Sequence, residues 1–375
     1  MQFGGRRMSH SAVRVAIVSD AQPERNGVGT YYRDLAEHLS GRLERVELLS
    51  AGASETPLPC WLDVPLPGDA TQRVELPSPV ALRRRLECLA PDTVVIATPG
   101  PYGLLGARYA RRAGARLVFG LHTDYEALSS LYWGAVLGRV NRWVLGAANR
   151  RLVRQADCVV AISRPMADLA RRAGGRDVRL LGTQLPPHFL GPAREQRGDG
   201  LRRVLFVGRL AAEKRVPQVI EAAERLRDVS FEVAGDGPLR PFVEAACHRL
   251  PNLHYHGWLA RCEIRDAIDA TDVLILPSVV EAFGTVALEA LARGRNALVS
   301  PGCGIRDWPE LVRALYEIGP DEHPAEAIAR IAAMPTAERH WRASLGCRAV
   351  HAMTARTVDH WAELLAGSRP VGEAA

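Results

Sequence analysis

The sequence predicts an α/β protein of two domains, and two observations carry this prediction. Short apolar runs alternate with stretches of helical periodicity, which is the pattern of strands buried in a parallel sheet. A polar, Gly-rich segment at 191–200 interrupts the alternation, which then starts again. A chain of 375 residues is long enough for two hydrophobic cores. The predicted architecture is therefore two similar α/β halves that face a cleft.

The same pattern sets the expected elements and boundaries. We expect an N-terminal domain at 1–190, a linker at 191–200, a C-terminal domain at 201–352, and a final helix at 353–375 that packs back on the first domain. The runs predicted as strands lie at 13–18, 46–49, 93–97, 116–121, 158–162, 204–207, 230–234, 253–256, 273–276 and 297–300. Helical patterns include 30–39, 132–155 and 285–292. Residues 51–80 are Pro-rich and match neither pattern.

Composition argues against several classes of protein. The seven cysteines are widely spaced and form no C-x-x-C pair, which indicates reduced thiols in a cytosolic compartment and not a disulfide framework or a zinc ribbon. No apolar run approaches ~18 residues, so we expect no membrane-spanning helix. The first dozen residues lack the apolar segment of a signal peptide.

The net charge of +6 is unevenly divided between the halves. Residues 1–190 hold 25 Arg and 17 acidic residues, a balance of +8, whereas residues 191–375 have a balance of −2. A basic half can face nucleic acid, an anionic membrane or only solvent. The aromatic residues are not interleaved with the basic ones, so we expect no nucleic-acid partner and rank a membrane surface higher. The Arg-rich stretch with Trp133 and Trp143 is the candidate contact, and core packing of both tryptophans is the alternative.

Two cations follow a predicted strand in the second half. Arg209 and Lys214 come just after the run 204–207, which Gly208 stops. Ligands of an open α/β sheet bind beyond the carboxyl ends of its strands. Lys214 is the only lysine among 48 basic residues, which points to a site that requires a compact ammonium. Two cations here suit a diphosphate, and chance survival of one lysine on a solvated loop is the alternative.

A pair of acidic residues flanks the next informative stretch. Glu281 lies in the loop after a predicted strand, and Glu289 lies in the following helix, which is apolar on nearly every face. A carboxylate in a buried helix is costly without hydrogen-bond donors. Ribose hydroxyls would serve, as would an arginine from elsewhere in the core. The N–H groups of Phe283, Gly284 and Thr285 open the same helix and are placed to receive a phosphate.

The first half offers two further candidates at strand ends. Gly27 lies in an Asn-Gly-Val-Gly loop before a helix, where backbone N–H groups can approach an anion, although tight turns use the same residues. His122 follows a strand beside Asp124, where it has either a role in a cleft or a structural bond to backbone. His254 and His256 share a strand face, but no third ligand has a telling spacing, so we predict no metal site.

Together these segments resemble the retaining GT-B glycosyltransferases of family 4, especially bacterial members that mannosylate or glycosylate lipids. The segments that carry the resemblance are Glu281 and Glu289 with Gly284 between them (the E-x7-E motif), Val207-Gly-Arg-Leu with Glu213-Lys214 (the diphosphate-binding segment), Asn26-Gly-Val-Gly and His122-Thr-Asp-Tyr. The resemblance covers nearly the whole chain. It implies two Rossmann-like domains, the first on the acceptor side and the second binding a nucleotide sugar.

The resemblance also implies an activity and a set of residue roles. A hexose would move from a nucleoside-diphosphate sugar to an acceptor hydroxyl with retention, and the acceptor would be a lipid or a lipid-linked glycan. The roles implied are the diphosphate for Arg209 and Lys214, the ribose for Glu289, the sugar hydroxyls for Glu281, the transferred sugar for His122, and the phosphate for Gly27. Because the chain has no Asp-x-Asp motif, we expect neither a metal nor another cofactor. The expected location is cytoplasmic, peripheral on the inner membrane face.

Three stretches depart from the family's usual pattern, and they leave the base and sugar open. Residues 181–189 replace Asn-Gly-Val-Asp, and residues 292–296 replace Gly-x-Pro. The Gly-rich segment that follows is reduced to 302–304 and Pro309-Glu310. The alternatives are a soluble sugar acceptor, a sugar-nucleotide epimerase of the same fold, and a nucleotide-sugar-binding protein without turnover. The epimerase has the least support, because its relatives do not combine the two acidic residues with the two cations. The binding protein is harder to separate, since every proposed catalytic group also binds.

Overall fold

The computed structural model describes residues 11–23, 27–52, 57–66, 69–123, 135–192 and 200–367. The strands of the first half are β1 (Ser11–Ser19), β2 (Leu43–Ser50), β3 (Cys60–Leu66), β4 (Asp69–Pro77), β5 (Thr93–Ile96), β6 (Arg116–Leu121), β7 (Cys158–Ala161) and β8 (Val178–Leu180). Its helices are α1 (Gly27–Leu39), α2 (Pro79–Leu89), α3 (Pro101–Ala113), α4 (Ala135–Gln155) and α5 (Arg164–Arg172).

The second half repeats the alternation of strands and helices. Its strands are β9 (Arg203–Val207), β10 (Ser230–Ala234), β11 (Leu253–Tyr255), β12 (Val273–Leu276), β13 (Asn296–Val299) and β14 (Leu315–Glu317). Its helices are α6 (Val216–Arg225), α7 (Arg240–Arg249), α8 (Arg261–Asp269), α9 (Thr285–Ala292), α10 (Pro309–Val312), α11 (Pro324–Ala332) and α12 (Thr336–Leu365). The predicted α/β class is confirmed.

Each half is built on a parallel sheet of six strands. The strand orders are β2-β1-β5-β6-β7-β8 and β11-β10-β9-β12-β13-β14. Central strands such as β5, β7 and β12 are buried along their whole length, as expected where helices cover both faces of a sheet. The connections reverse between β1 and β5 in the first sheet and between β9 and β12 in the second. These two switch points are the crevices where an open α/β sheet binds ligands.

A side chain of the protein itself bridges the crevice of the first sheet. The carboxylate of Asp20, just after β1, accepts hydrogen bonds from Thr98 Oγ1 at 2.7 Å and from the N–H groups of Tyr102 at 2.7 Å and Gly103 at 3.2 Å. Burial raises the pKa of Asp20 to about 6, against these hydrogen bonds, which lower it. Asp20 therefore occupies two of the N–H groups that open α3.

The Pro-rich residues that resisted prediction include an antiparallel hairpin. Strands β3 and β4 pair through Val64 and Val74, outside the parallel sheet. Glu75 anchors the hairpin, because its carboxylate accepts from Gln22 Nε2 at 3.2 Å and from the N–H of Gly52 at 3.1 Å. Prolines at both strands' ends obscure the alternation of apolar and polar residues that would have identified them.

The C-terminal helix joins the two domains. We expected a separate helix at 353–375, but α12 begins at Thr336 and runs unbroken to Leu365. Its first part packs on α9, and its last part reaches the first domain, where Trp361 Nε1 donates to Tyr31 Oη at 2.8 Å. One hydrophobic cluster therefore continues from α1 through α12 into the second domain. Residues 368–375, and 193–199 of the predicted linker, lie outside the described residues.

Candidate active site

Lys214 and Glu281 meet at the switch point of the second sheet. Lys214 ends a short 3-10 turn after β9, and Glu281 lies in the loop after β12. The ammonium of Lys214 forms an ion pair with the Glu281 carboxylate, and their side chains are only 17% and 19% exposed. Burial lowers the pKa of Lys214, but the charge and hydrogen bond of Glu281 outweigh it, so the pKa lies above its ordinary value. The lysine is therefore charged when it faces the crevice.

Arg209 occupies the same loop after β9, so the structure places both predicted cations beyond one strand. Its Nη1 lies 3.9 Å from Oε1 of Glu213, which is buried. The carbonyl of Glu213 accepts from the N–H of Val279 at 2.8 Å, and this bond ties the loop after β9 to the loop after β12. The two sides of the crevice are thus held together by backbone.

The reduced Gly segment at 302–304 supports the Glu281 loop. The N–H of Glu281 donates to the carbonyl of Gly302 at 3.1 Å, and the N–H of Gly304 donates to the carbonyl of Glu281 at 2.9 Å. A Cβ at Gly304 would lie 2.0 Å from the carbonyl oxygen of Ala282. The backbone can approach this closely only because the residue has no side chain. The segment therefore fixes the position of Glu281, although it is shorter than expected.

The N-terminus of α9 opens beside Glu281. Gly284 is the N-cap, with φ of 98°, and Thr285 begins the helix. No side chain of the described residues caps this end. Phe283 is buried and its carbonyl accepts from the N–H of Ile305 at 2.7 Å. The positive end of the helix dipole is thus presented next to the Lys214–Glu281 pair, as a phosphate requires.

Glu289, about one turn into the apolar helix, is paired with an arginine. Its Oε1 lies 2.8 Å from Nη1 of Arg261 on α8. Burial raises the pKa of Glu289 to about 7, although the charge of Arg261 opposes the rise. Nη2 of the same Arg261 lies 3.0 Å from Oδ2 of Asp34, on α1 of the first domain. Of the donors that the sequence allowed for Glu289, the structure supplies the arginine; contact with a ribose stays a prediction.

His122 lies in a separate aromatic cluster of the first domain. It directly follows β6, and its Nε2 lies 2.9 Å from Tyr32 Oη. The ring of Tyr31 packs edge-on against it, with centroids 4.6 Å apart. Burial lowers the pKa of His122 to about 3, so the imidazole is neutral. Asp124 and Tyr125 of the same motif lie outside the described residues.

In the Asn-Gly-Val-Gly loop, the backbone packs closely at Gly29 and not at Gly27, the glycine named in the prediction. Gly27 is the first residue of α1, and a Cβ there would meet nothing within 4 Å. A Cβ at Gly29 would lie 2.4 Å from the carbonyl oxygen of Gln22. Gly29 therefore keeps the loop against the helix, while Gly27 leaves open space at its N-terminus. Asn26 lies outside the described residues.

Of the other two histidine candidates, His256 has its Nε2 2.6 Å from Oε2 of Glu232 on the neighbouring strand, and His254 is exposed. Among the residues that the structure describes, no group of three or more His, Cys, Asp or Glu could hold a metal ion.

Sequence reasoning missed Asp34, Arg261, Tyr32 and Trp361. Asp34 carried a usable signal, because it lies three residues after Tyr31 and beside Leu35, on the core face of α1. A carboxylate at such a position requires a charged partner. The partner itself, Arg261, is 227 residues away in the chain and has no local signal.

Comparison with known proteins identifies the family. The model described as Glycosyl transferases group 1 matches residues 192–343, and the model described as Glycosyltransferase Family 4 matches residues 25–181. Together they cover more than four fifths of the chain. The chain belongs to this glycosyltransferase family. The predicted resemblance is therefore confirmed.

Relatives of this glycosyltransferase include two from Mycobacterium tuberculosis. A GDP-mannose-dependent alpha-mannosyltransferase is 29% identical over 83% of this chain and 85% of its own length. A GDP-mannose-dependent alpha-(1-6)-phosphatidylinositol dimannoside mannosyltransferase is 28% identical over 70% of this chain and 71% of its own. Among solved structures, HepE of Anabaena in complex with UDP and glucose has a TM-score of 0.71, 19% identity, and coverage of 94% of this chain and 99% of that one. This similarity confirms the GT-B fold.

Two features of the structure bear on the membrane predictions, namely the character of its helices and the exposure of Trp143. Within the described residues, none of the helices combines the length and the apolar character that crossing a membrane requires. Trp143, on α4, is 71% exposed, so the alternative that it belongs to the core is wrong. Trp133 lies outside the described residues.

Proposed function

We propose that this glycosyltransferase transfers a hexose from a nucleoside-diphosphate sugar to a hydroxyl of a lipid or lipid-linked glycan, with retention of anomeric configuration. The observation that carries the proposal is the Lys214–Glu281 ion pair at the switch point of the second sheet. A partly exposed cation and carboxylate, side by side in a ligand crevice, match the two parts of the donor. The diphosphate requires positive charge, and the sugar hydroxyls require acceptors.

The proposed chemistry centres on the leaving group. As the bond between the anomeric carbon of the sugar and the diphosphate oxygen breaks, negative charge develops on the nucleoside diphosphate. Lys214, Arg209 and the N-terminus of α9 are fixed before the reaction, so they stabilise that charge without reorganisation. A diphosphate that takes the ammonium of Lys214 releases the carboxylate of Glu281, which then accepts hydrogen bonds from the sugar. In this proposal no cofactor takes part in the step.

His122 contributes as a neutral group in this proposal. Its buried imidazole, with a pKa of about 3, donates or accepts a hydrogen bond but carries no charge at neutral pH. Tyr32 fixes the ring through Nε2. A neutral, oriented ring suits contact with a sugar hydroxyl better than contact with a phosphate. Gly27, with open space at the start of α1, is the proposed point where the first domain approaches the donor phosphate.

GDP-mannose is the first donor to test. Both mycobacterial relatives use it according to their names, and each is similar over more than two thirds of this chain. The lipid acceptor in the name of the second relative supports the choice of acceptor class. The similarity to HepE bears only on the fold, because the identity is 19%.

A membrane surface is proposed as the place of reaction. The first domain carries the positive balance of charge, and the β3–β4 hairpin presents Trp61 and Leu62 to solvent, 67% and 52% exposed. Trp143 is exposed on α4 of the same domain. Aromatic and cationic side chains together favour an anionic interface. We therefore place the protein in the cytoplasm, peripheral on the inner face of the membrane.

The decisive experiment is a donor panel with product analysis. UDP-, GDP- and ADP-hexoses are incubated with the protein, first alone to detect slow hydrolysis and then with lipid extracts or free sugars as acceptors. NMR of the product gives the anomeric configuration. Transfer to lipid with retention supports the proposal, whereas transfer to free sugar alone favours the soluble acceptor. Tight nucleotide binding without hydrolysis or transfer would favour a binding protein, and conversion of the donor sugar itself would favour an epimerase.

A further inference from the structure

Three charged side chains from the two domains meet in one buried cluster. Arg261 of α8 bonds to Glu289 of α9 at 2.8 Å and to Asp34 of α1 at 3.0 Å. Both acidic side chains are almost completely buried, and that of Arg261 is 21% exposed. The guanidinium also lies over the ring of Phe189, 5.0 Å from its centroid. Arg261 is therefore held from several sides, and its contacts with Asp34 and Phe189 reach across the domain boundary.

The balance of charge makes the arginine necessary. Asp34 and Glu289 are two buried acids that share one close cation, while Arg33 approaches Asp34 only to 3.6 Å. Truncating one partner of such a group leaves a buried charge uncompensated, which is strongly unfavourable. Without Arg261, the two acids would favour taking up a proton, and a protonated Glu289 is a weaker acceptor.

We propose that Arg261 is a positioning residue for the donor nucleotide: held by Asp34 of the first domain, its guanidinium favours the ionised form of Glu289 and orients the carboxylate to accept from the ribose. The inference rests on the proposed function, since it requires that a nucleotide binds. It adds that donor affinity depends on contact between the domains. Asp34, which belongs to the first domain, then influences a ligand bound in the second.

The chain offers matched controls for both partners. Arg265 lies on α8 one turn after Arg261 and pairs with its neighbour Asp266. Glu37 lies on α1 one turn after Asp34 and is exposed. Arg265→Met and Glu37→Gln therefore make the same chemical changes as Arg261→Met and Asp34→Asn without touching Glu289.

Calorimetric titration with GDP and with UDP measures the effect on the whole protein. We expect Arg261→Met to lower affinity about tenfold at pH 7, and Asp34→Asn by about threefold to tenfold. Arg261→Lys should recover part of the loss, because one ammonium can reach one acid but cannot fork between two. Arg265→Met and Glu37→Gln should bind like the wild type.

The pH dependence separates positioning from a merely structural role. Among the charged neighbours, Arg261 has the largest effect on the pKa of both acids, and it lowers both. Arg33 and His38 also lower the pKa of Asp34, and Glu37 raises it. The charge of Asp34 raises the pKa of Glu289. Affinity of the wild type should rise with pH as Glu289 ionises, and Arg261→Met should move that rise to higher pH.

The outcomes separate this inference from the proposed function. Wild-type binding with no change in Arg261→Met and Asp34→Asn would overturn the inference alone. Equal losses in the control variants would also overturn it, because the effect would then be general. A wild type that binds no nucleoside diphosphate would overturn the proposed function, and the inference with it. If Arg261→Met does not fold, Arg261→Lys and Asp34→Asn decide the matter.

Discussion

The ammonium of Lys214 is paired with the carboxylate of Glu281 across the crevice between β9 and β12. Two residues separated by 67 positions thus form one charged unit at the point where a parallel sheet binds its ligand. Under the proposed function, a diphosphate that enters the crevice would replace Glu281 as the partner of Lys214. Binding the phosphate would then free the Glu281 carboxylate for the sugar, so the pair would couple the two halves of the donor.

Substitution of Lys214 tests the first half of this coupling. We expect Lys214→Ala to raise the activation free energy of transfer by about 2–4 kcal/mol, and so to lower turnover, with the fold intact. The reason is that the variant loses a positive charge already in place to stabilise the leaving group. Arg209→Ala should act similarly. Lys214→Arg should also impair turnover, because the wider guanidinium does not fit a site that holds a compact ammonium. Steady-state kinetics and thermal unfolding measure both effects; near-normal turnover in Lys214→Arg would contradict the argument.

The two glutamates should respond differently to amide substitution. Glu281 lies beside the cation and Glu289 beside Arg261, so we expect Glu289→Gln to weaken nucleotide affinity and Glu281→Gln to lower turnover more than affinity. Calorimetry with the free nucleoside diphosphate and kinetics with the full donor separate these effects. Equal losses of nucleotide affinity in the two variants would refute the assigned roles.

The sequence was informative wherever a feature was local. Runs such as 93–97 and 273–276 are apolar and continuous, so β5 and β12 were predicted within a residue or so. Strands β8 (Val-Arg-Leu) and β14 (Leu-Tyr-Glu) were missed, because neither is a continuous apolar run, although the equally short β11 was predicted. Lys214 and Glu281 each follow a predicted strand, so the sequence also predicted that they share one crevice. The carboxyl ends of parallel strands lie at the same edge of a sheet.

Features that depend on distant partners could not be predicted from the sequence. Nothing near Glu289 indicates that Arg261 and Asp34 complete its environment, since the contact exists only after both domains pack. The bond from Trp361 to Tyr31 joins residues 330 positions apart for the same reason. The departure at 292–296 likewise becomes intelligible only in three dimensions, where buried Arg293 bonds to Asp269 and to the carbonyls of Gly191 and Pro192.

The buried imidazole of His122 should make the free energy of unfolding depend on pH. Its folded pKa of about 3 lies below the ordinary value of 6.5, so the unfolded chain binds a proton more readily between these values. The contribution of His122 to the free energy of unfolding is thus complete above about pH 6.5 and falls by about 1.4 kcal/mol per pH unit below it. The buried acids Glu289, Asp34 and Asp20 have raised pKa values and act in the opposite direction as the pH rises toward 7.

The comparison that isolates His122 is therefore a difference between two proteins. We expect the stability advantage of the wild type over His122→Gln to shrink as the pH falls from 6.5 to 4.5, as measured by urea unfolding. The pH profile of turnover should show no inflection from this residue between pH 5 and 8. A stability difference that stays constant over the acidic range would mean that the imidazole is not held neutral.

The β3–β4 hairpin gives the last prediction, which concerns the membrane. Trp61 and Leu62 project into solvent from a hairpin that Glu75 anchors to the first domain. We expect Trp61→Ser with Leu62→Ser to reduce sedimentation with anionic vesicles several-fold, because the apolar contact with the interface is lost. Trp341→Ser is the matched control, since Trp341 is a 49% exposed tryptophan of the second domain. Rising salt should weaken wild-type binding, because exposed charges are screened over ~10 Å at 0.1 M. Equal binding to neutral and anionic vesicles, or to neither, would leave a soluble sugar as the better acceptor.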